Sequence, residues 1–177
     1  MKKILSLCLA AALCAPAFAQ KMGMSNENAP TMQQSLTMGD AKMSLDYTSI
    51  TWADGKTLAR AADKEKGAPV RKRINDTGPE NPLATFKTSI DVTCGDLQLP
   101  AGEHKVYFTI NEDLSWNINF KMGDKVQTMK LKLEDSGHES KRMLLCLYAE
   151  EKGAGVYMAF GKQSGMLSFT PGAAPKK

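Results

Sequence analysis

The most chemically suggestive side chains near the start of the chain are methionine thioethers. Met22, Met24, Met32 and Met38 lie among Gln, Asn, Ser, Gly and Pro residues. Thioether sulfur is a soft ligand that selects Cu(I). The Met-x-Met spacing at residues 22–24 therefore gives one functional alternative, a periplasmic copper-handling segment. The other alternative is a Met-rich tail without a metal.

Cysteine pairing is the second chemistry that the spacing suggests. Cys8 and Cys14 belong to an N-terminal leader, which leaves Cys94 and Cys146 as a single pair. A disulfide between them would close a loop of about fifty residues and stabilise the fold by roughly 4 kcal/mol in the chain-entropy model. We predict this disulfide, with two buried free thiols as the alternative.

No pattern of catalytic or metal-binding residues stands out. The two histidines, His104 and His138, each lie beside a glutamate in a predicted turn, whereas zinc needs three or four ligands at fixed spacing. Residues 161–165, Gly-Lys-Gln-Ser-Gly, lack the spacing of a nucleophile elbow. The sequence therefore predicts no catalytic residue and no cofactor. A hydrolase whose site forms only in three dimensions, for example from a serine near His104, is kept as an alternative.

The first 19 residues have the three parts of a secretory signal peptide. A basic start and an apolar run over residues 4–15 precede Ala17 and Ala19, the two small residues before Gln20. The apolar run is shorter than the about 18 residues that a membrane anchor needs. We expect cleavage between Ala19 and Gln20, and export to the periplasm or the extracellular space.

The charge balance narrows the class of partner. Loss of the two leader lysines lowers the formal net charge from +4 to +2, and acidic and basic residues are interspersed. Nucleic-acid binding depends mainly on neutralising phosphates with a basic surface, so the sequence argues against such a partner. No later stretch is apolar over transmembrane length, and we expect no transmembrane segment in the mature chain.

The chain after the leader divides into three parts. Residues 20–40 are predicted to be a flexible Met-rich lead-in, because they lack aromatic residues and nearly all branched aliphatic ones. Residues 41–170 form one predicted domain, which suits the length of the mature chain. Residues 171–177, rich in Pro, Gly and Ala, are predicted to be a flexible tail.

Period-two alternation is the main signal for the fold. The cleanest pattern of apolar and polar residues runs from Leu114 to Met122. Polar stretches at 135–141 and 163–165 predict a hairpin loop and a turn, and residues 143–149, apolar on both faces, predict a central strand. The sequence predicts an all-β fold, an antiparallel β-sandwich or barrel-like fold of about eight strands with at most one short helix.

Residues 53–82 are the most irregular part of the predicted domain. Asp54-Gly55 favours a hairpin turn, while the Ala, Lys and Glu residues of 56–66 followed by Gly67 and Pro69 favour a helix that ends there. A helix, a hairpin and a mobile loop all stay open. The basic run 71–73 could contact an anionic glycan or a lipid surface, but nearby acidic residues nearly balance it, which favours a solvated loop.

A block in the middle of the chain resembles a known family. It reads Leu99-Pro100-Ala101-Gly102-Glu103-His104-Lys105-Val106-Tyr107-Phe108-Thr109-Ile110, followed by Trp116-Asn117-Ile118. It resembles the core signature of the bacterial secreted family catalogued as domain of unknown function 2911, and Asp46-Tyr47 resembles an early strand of that family. The resemblance spans about residues 36–122. It implies an exported all-β domain and no established reaction.

Two motifs of that family are replaced in this chain. Its Arg-Pro and Lys-Gly-Arg run is here residues 48–52, Thr-Ser-Ile-Thr-Trp, and its Trp-Arg-x-Gly-Ala-Asn motif is here residues 70–78. We therefore transfer no site residue. The first hypothesis is an exported, non-enzymatic β-sandwich that binds a protein, a glycan or a small ligand through its loops, chiefly residues 53–82, because long loops are often functional.

Overall fold

Two antiparallel β-sheets form the body of the protein. The computed structural model describes residues 29–51 and 57–172. Two short helices, α1 (Thr57–Ala61) and α2 (Ala68–Thr77), and a 3-10 turn at Gly78–Glu80 follow the second strand. The strands are β1 Thr31–Met38, β2 Ala41–Thr48, β3 Ala84–Thr88, β4 Val92–Cys94, β5 Leu97–Leu99, β6 Gly102–Ile110, β7 Trp116–Met122, β8 Lys125–Lys130, β9 Glu134–Glu150 and β10 Gly153–Pro171.

The strands assemble as a sandwich. One sheet has six strands in the order β1-β2-β3-β6-β7-β8, and the other has four in the order β5-β4-β10-β9. The paired strands of the described residues run antiparallel. The predicted all-β antiparallel sandwich is therefore confirmed, with ten strands in the described residues.

Aromatic side chains fill the centre of the sandwich. Phe86 on β3 stacks on Phe169 of β10 with 4.7 Å between ring centroids, and Trp116 on β7 contacts Phe160 of β10 at 5.1 Å. Each of these contacts joins the two sheets. Because buried aromatic side chains contribute large apolar areas to a core, they hold the sheets face to face.

Two glutamine side chains bridge the seams between the sheets. At one seam, the Gln34 amide on β1 donates to the Leu145 carbonyl (2.6 Å) and accepts from the Leu147 N–H (2.7 Å) of β9. At the other, the Gln127 amide on β8 donates to the Gln98 carbonyl (2.6 Å) and accepts from the Gln98 N–H (3.2 Å) of β5. Unpaired strand edges invite pairing with other chains, and these amides satisfy part of both edges.

Strand β1 corrects the predicted flexible lead-in. Residues 31–38 pair along their whole length with β2, and Leu36 and Met38 pack against the core. Gly39 has a φ of +59°, which allows the tight turn into β2. The sequence contains a partial signal for this strand, because Met32, Leu36 and Met38 share one parity, while residues 31, 33, 35 and 37 are polar and Gln34 interrupts the apolar set. The domain therefore begins about ten residues earlier than predicted.

Several predictions lie outside the described residues. These are the signal peptide 1–19 with its cleavage site at Ala19 and Gln20, and the first part of the lead-in with Met22 and Met24. The predicted tail is described only at its start. There Pro171 belongs to β10, and the N–H of Gly172 donates to the Asp91 carbonyl at 2.8 Å.

Two helices lie within residues 57–77, and Gly67 and Pro69, which were predicted to end a helix, instead begin the second one. Gly67 is the N-cap of α2 and Pro69 lies in its first turn, where a missing N–H costs no intrahelical hydrogen bond. Arg71 is buried and donates to the carbonyls of Ala61 (2.9 Å) and Asp63 (2.8 Å). The basic run 71–73 is therefore not a solvated loop, because Arg71 connects α2 to the end of α1.

The last two strands are long and bent, and they replace the predicted loop at 135–141 and turn at 163–165. Strands β9 and β10 pair over most of their length, with register shifts around Gly161. Gly161 has a φ of +56°, and Gly153 lies so close to the Phe169 carbonyl that a Cβ atom would clash. A straight strand would separate Gly153 and Phe169 by about 50 Å. We conclude that β10 reverses direction near Gly161.

The predicted disulfide is wrong, since Cys94 and Cys146 are both free. Cys94 on β4 pairs with Phe169 of β10 and points into the core, whereas Cys146 on β9 pairs with Tyr157 of β10 and is exposed. Strands β4 and β9 are separated by β10, which places them about 10 Å apart or more. A disulfide needs Cα atoms within about 7 Å, so both the distance and the opposite orientation exclude it.

The described helices are short. None of them has the length and apolar character needed to cross a membrane.

Candidate functional site

The outer faces of the two sheets differ in how much apolar surface they expose. Alternate residues of a strand point to opposite sides of its sheet, so the outward set follows from the buried set. The polar face is the outer side of the six-stranded sheet and carries Ser35, Thr37, Lys42, Ser44, Thr85, Lys87, Glu103, Lys105, Asn117, Asn119 and Thr128. On the outer side of the four-stranded sheet, an apolar region contains Leu144, Cys146, Tyr148, Tyr157 and Met166, and we call it the apolar face. Polar residues surround it on the same side, namely Thr93, Gln98, Arg142, Glu150, Ser168 and Thr170.

A hydrogen-bond network occupies the centre of the polar face. Asn119 on β7 is buried, and its amide donates to the Tyr107 carbonyl and to the Thr109 hydroxyl, both at 3.2 Å. Its carbonyl accepts from the Thr128 hydroxyl at 2.7 Å. Buried polar side-chain atoms of the described residues all have hydrogen-bond partners. The Asn119 network therefore connects β6, β7 and β8, and the polar atoms of the Asn119 side chain are satisfied within it.

A three-residue ion cluster lies beside this network. Glu103 on β6 contacts Lys105 at 2.8 Å and Lys87 of β3 at 3.0 Å. The hydrogen bonds from Lys105 and Lys87 lower the pKa of Glu103, and the hydrogen bond to Glu103 raises the pKa of Lys87. All three side chains are about half exposed, so the cluster fixes side-chain positions more than it stabilises the fold.

An open groove of about 580 Å³ lies at one end of the polar face. We call it the Lys42 groove. Its lining contains hydroxyl groups and two lysines, and none of its lining residues is acidic. The lining consists of Ser35, Leu36, Thr37, Lys42, Met43, Ser44, Lys87, Thr88, Ser89 and Gly102.

Local hydrogen bonds and strand register form the Lys42 groove. Ser35 of β1, Ser44 of β2 and Lys87 of β3 are cross-strand partners, so their side chains lie in one row on the outer side. The N–H of Lys42 donates to the Ser89 hydroxyl at 2.8 Å, and the N–H of Ser89 donates to the Lys42 carbonyl at 2.9 Å. These two bonds fix the end of the groove next to the turn at Gly39.

The two groove lysines differ in their ion partners. Lys87 contacts Glu103 at 3.0 Å, while Lys42 has no ion pair with any acidic residue in the part of the chain that the structure describes. An ammonium group is a donor of three hydrogen bonds and accepts none. Lys42 is therefore the side chain of the groove with the most capacity to bind an anionic group.

The apolar side chains of this face lie among polar ones, because Arg142, Glu150, Ser168 and Thr170 occupy outward positions on the same sheet. Leu144 is 44% and Met166 is 67% exposed. The predicted central strand at residues 143–149 is therefore wrong: β9 is the edge strand of its sheet, and only one of its faces is covered. The Tyr148 hydroxyl donates to a Glu150 carboxylate oxygen at 3.1 Å and lies 3.5 Å from the Met166 sulfur. Burial, followed by the hydrogen bond to Glu150, raises the pKa of Tyr148.

The structure does not bring the described candidate metal ligands together. Met32 and Met38 lie on β1 and are about 20 Å apart along the strand. Met32 is 42% exposed, while Met38 packs against the core. Within residues 29–51 and 57–172, no three histidine, cysteine, aspartate or glutamate side chains form a group that could hold a metal.

His104 is a core residue and not the solvated turn residue that the sequence indicated. Its side chain is buried, and its Nε2 atom lies 2.8 Å from the Pro100 carbonyl oxygen. The rings of Phe86 and Phe120 lie 6.5 and 6.4 Å away from its centroid. No serine hydroxyl or carboxylate is hydrogen-bonded to His104 in the described residues. The pairing of a serine with His104, which the hydrolase alternative suggested, therefore does not form.

Sequence reasoning missed the groove residues because their contacts are set by register. Ser35 and Thr37 lay in the predicted lead-in, and Lys42, Ser44 and Lys87 looked like ordinary outward strand residues. The shared parity of Met32, Leu36 and Met38 was the signal that could have added β1 to the sheet. Compared with known proteins, the chain matches no family model, no curated protein and no solved structure.

Proposed function

We propose that the protein is a ligand-binding module and that the Lys42 groove binds a small acidic saccharide. The observation that supports the proposal is the lining of the groove, which combines hydroxyls with two ammonium groups and contains no carboxylate. Its volume of about 580 Å³ lies within the range of about 300 to 1,000 Å³ that small-molecule sites occupy.

Each class of groove side chain matches one class of group on an acidic saccharide. The Lys42 ammonium would donate to a sugar carboxylate, since it has no ion partner in the described residues. The Ser35, Thr37 and Ser44 hydroxyls both donate and accept hydrogen bonds, as sugar hydroxyls do. Lys87 would add a second charge while it keeps its contact with Glu103.

The site proposed here differs from the one that the sequence favoured. Residues 57–82 contain packed helices, and Arg71 is buried in their contact, so these residues form a cover and not an open binding loop. Export to the periplasm or the extracellular space remains part of the proposal, because residues 1–19 read as a signal peptide. Membership of the family catalogued as domain of unknown function 2911 stays a prediction.

The two alternative functions have less support. Copper handling would need Met22 and Met24 without Met38, because Met38 packs against the core. A hydrolase would need a catalytic group that the described contacts of His104 do not supply. The acidic-saccharide proposal is supported by an open groove whose lining residues the structure describes.

Isothermal titration calorimetry with trigalacturonate, a uronic acid trisaccharide, tests the proposal. We expect binding that weakens as salt is added, because screened surface charges interact less. Lys42→Ala should lower the affinity about fivefold, the effect of losing about 1 kcal/mol from a surface charge contact. The neutral trisaccharide maltotriose should bind much more weakly than trigalacturonate.

The matched control is Lys130→Ala. Lys130 lies on β8 of the same sheet, outside the groove, and contacts Asp113 at 3.6 Å. This variant removes the same charge and should leave the affinity for trigalacturonate within about twofold of the unmodified protein. Equal losses for the two lysine variants, or no heat from trigalacturonate, would refute the proposed site.

A further inference from the structure

We infer that the apolar face is the interface between two copies of this chain, which pack sheet on sheet about a two-fold axis close to Cys146. This inference does not rest on the proposed function, because the apolar face and the Lys42 groove belong to different sheets. It starts from the side chains that the four-stranded sheet leaves in water.

The first observation is the exposed apolar surface. Leu144 and Met166, at 44% and 67% exposure, flank Cys146, Tyr148 and Tyr157 on the same side of the sheet. Contiguous apolar surface on a soluble domain marks an interaction site. Aromatic residues and methionine are enriched in protein interfaces, and this face contains both.

The second observation excludes edge-to-edge pairing at the centre of β9. The Gln34 side chain already bonds to the Leu145 carbonyl and the Leu147 N–H. A second chain cannot extend the sheet there without displacing Gln34. A partner can therefore approach through the face of the sheet, as the two sheets of a sandwich approach one another.

The third observation is charge complementarity, which favours a second copy of the chain as the partner and sets the relative direction of the two β9 strands. Arg142 and Glu150 lie four residues before and after Cys146, at outward positions of β9. One Arg142 N–H donates to the Ser49 carbonyl at 3.2 Å, and Glu150 accepts from the Tyr148 and Ser168 hydroxyls. Neither residue forms an ion pair within the described residues, so both charges can still pair with a partner. In a two-fold contact centred on Cys146 with antiparallel strands, each Arg142 faces the partner's Glu150. Parallel strands would instead set Arg142 against Arg142 and Glu150 against Glu150. Electrostatics therefore favours the antiparallel arrangement.

The same arrangement brings the two Cys146 thiols together at the axis. Leu144 of one copy then meets Tyr148 of the other, so apolar groups surround the thiols. A disulfide oxidant such as oxidised glutathione can join them: the two thiols lose two protons and two electrons, and the oxidant is reduced to two thiols. A disulfide requires Cα atoms within about 7 Å, which makes the crosslink a measure of the distance.

Sedimentation velocity of the purified protein tests the interface under reducing conditions. We expect dimers at about 100 µM that dissociate on dilution. Leu144→Lys should raise the dimer dissociation constant at least about tenfold. Val126→Lys is the matched control, because Val126 is also 44% exposed but lies on the six-stranded sheet. Circular dichroism confirms that both variants fold.

Charge reversal supplies a test of the antiparallel arrangement. Arg142→Glu and Glu150→Arg should each weaken the dimer about tenfold, and the double variant should recover most of the loss. Oxidised glutathione should give a Cys146-linked dimer that Cys146→Ala abolishes. A monomer at all concentrations, equal effects of Leu144→Lys and Val126→Lys, or no recovery in the double variant would overturn the inference. If residues 1–28 of the same chain cover the face, the protein stays monomeric and Cys146 is protected from alkylation, which also overturns it.

Discussion

The two outer faces of the sandwich differ in how far their side chains are already occupied. On the polar face, Asn119 and Glu103 bond to neighbouring strands through complete networks. On the apolar face, Leu144 and Met166 remain in water. A satisfied polar network has no need of a partner, whereas apolar surface gains free energy when it is covered. The two binding regions that we propose are therefore the Lys42 groove, at the margin of the polar face, and the centre of the apolar face.

The largest expected effect concerns the strand reversal that builds the apolar face. A Cβ atom at Gly153 would clash with the Phe169 carbonyl, which is backbone and cannot rotate away. We expect Gly153→Ala to lower the free energy of unfolding by about 3 kcal/mol or more, measured by urea denaturation. Gly123→Ala, in the turn between β7 and β8, is the control. It has open space but a φ of +57°, so about 1 kcal/mol is expected.

The next effect concerns the network at the centre of the polar face. Asn119→Ala leaves the Tyr107 carbonyl and the Thr128 hydroxyl without their partner, and we expect a loss of about 1 to 3 kcal/mol in urea denaturation. Asn117→Ala is the matched control, since Asn117 is partly exposed and water can replace its bonds. Similar losses for the two variants would mean that the buried network is not what distinguishes this face.

Substitution of each cysteine compares the inner side of the four-stranded sheet, where Cys94 lies, with its outer side, where Cys146 lies. Burial raises the pKa of Cys94 to about 11 from 9.0, so the folded state holds this proton more tightly than the unfolded state. The stabilisation is present below pH 9 and is lost as the pH rises to 11, and the loss is about 2 kcal/mol at pH 11. Cys94→Ala should remove this part of the pH dependence of urea unfolding. Cys146→Ala, on the outer side, should keep it.

The smallest effect is expected at the ion cluster of the polar face. Glu103→Gln removes the contacts with Lys87 and Lys105, but all three side chains are about half exposed. The free energy of unfolding should change by less than about 1 kcal/mol. The same variant releases Lys87 and should strengthen trigalacturonate binding in calorimetry. A stability loss of more than about 2 kcal/mol would show that the cluster contributes to the fold after all.

The strands could be predicted from the sequence wherever one parity was apolar and the other polar. Residues 114–122 of the chain show this contrast, and β7 forms there. Residues 143–149 are apolar in both parities, so the sequence could not tell whether Cys146 or Leu145 points inward. The structure buries Leu145 and exposes Cys146. This orientation, together with the separation of β4 from β9 by β10, explains why the predicted disulfide is wrong.

The site could not be predicted because its parts are distant in the sequence. The Lys42 groove needs β1, β2 and β3 side by side, and strand β1 itself was missed. The Gln34 bridge joins residues more than a hundred positions apart. Local alternation contains no information about such contacts, whereas it does determine which side chains of each strand face the core.

The separate roles of the two faces can be measured in one titration. Backbone amide chemical shifts of the purified protein would be followed by NMR as trigalacturonate is added at constant protein concentration. We expect the changes to concentrate at residues 35–44 and 87–89, while residues 144–157 keep their shifts. Changes centred on residues 144–157, or spread equally over both sheets, would contradict the assignment of ligand binding to the Lys42 groove.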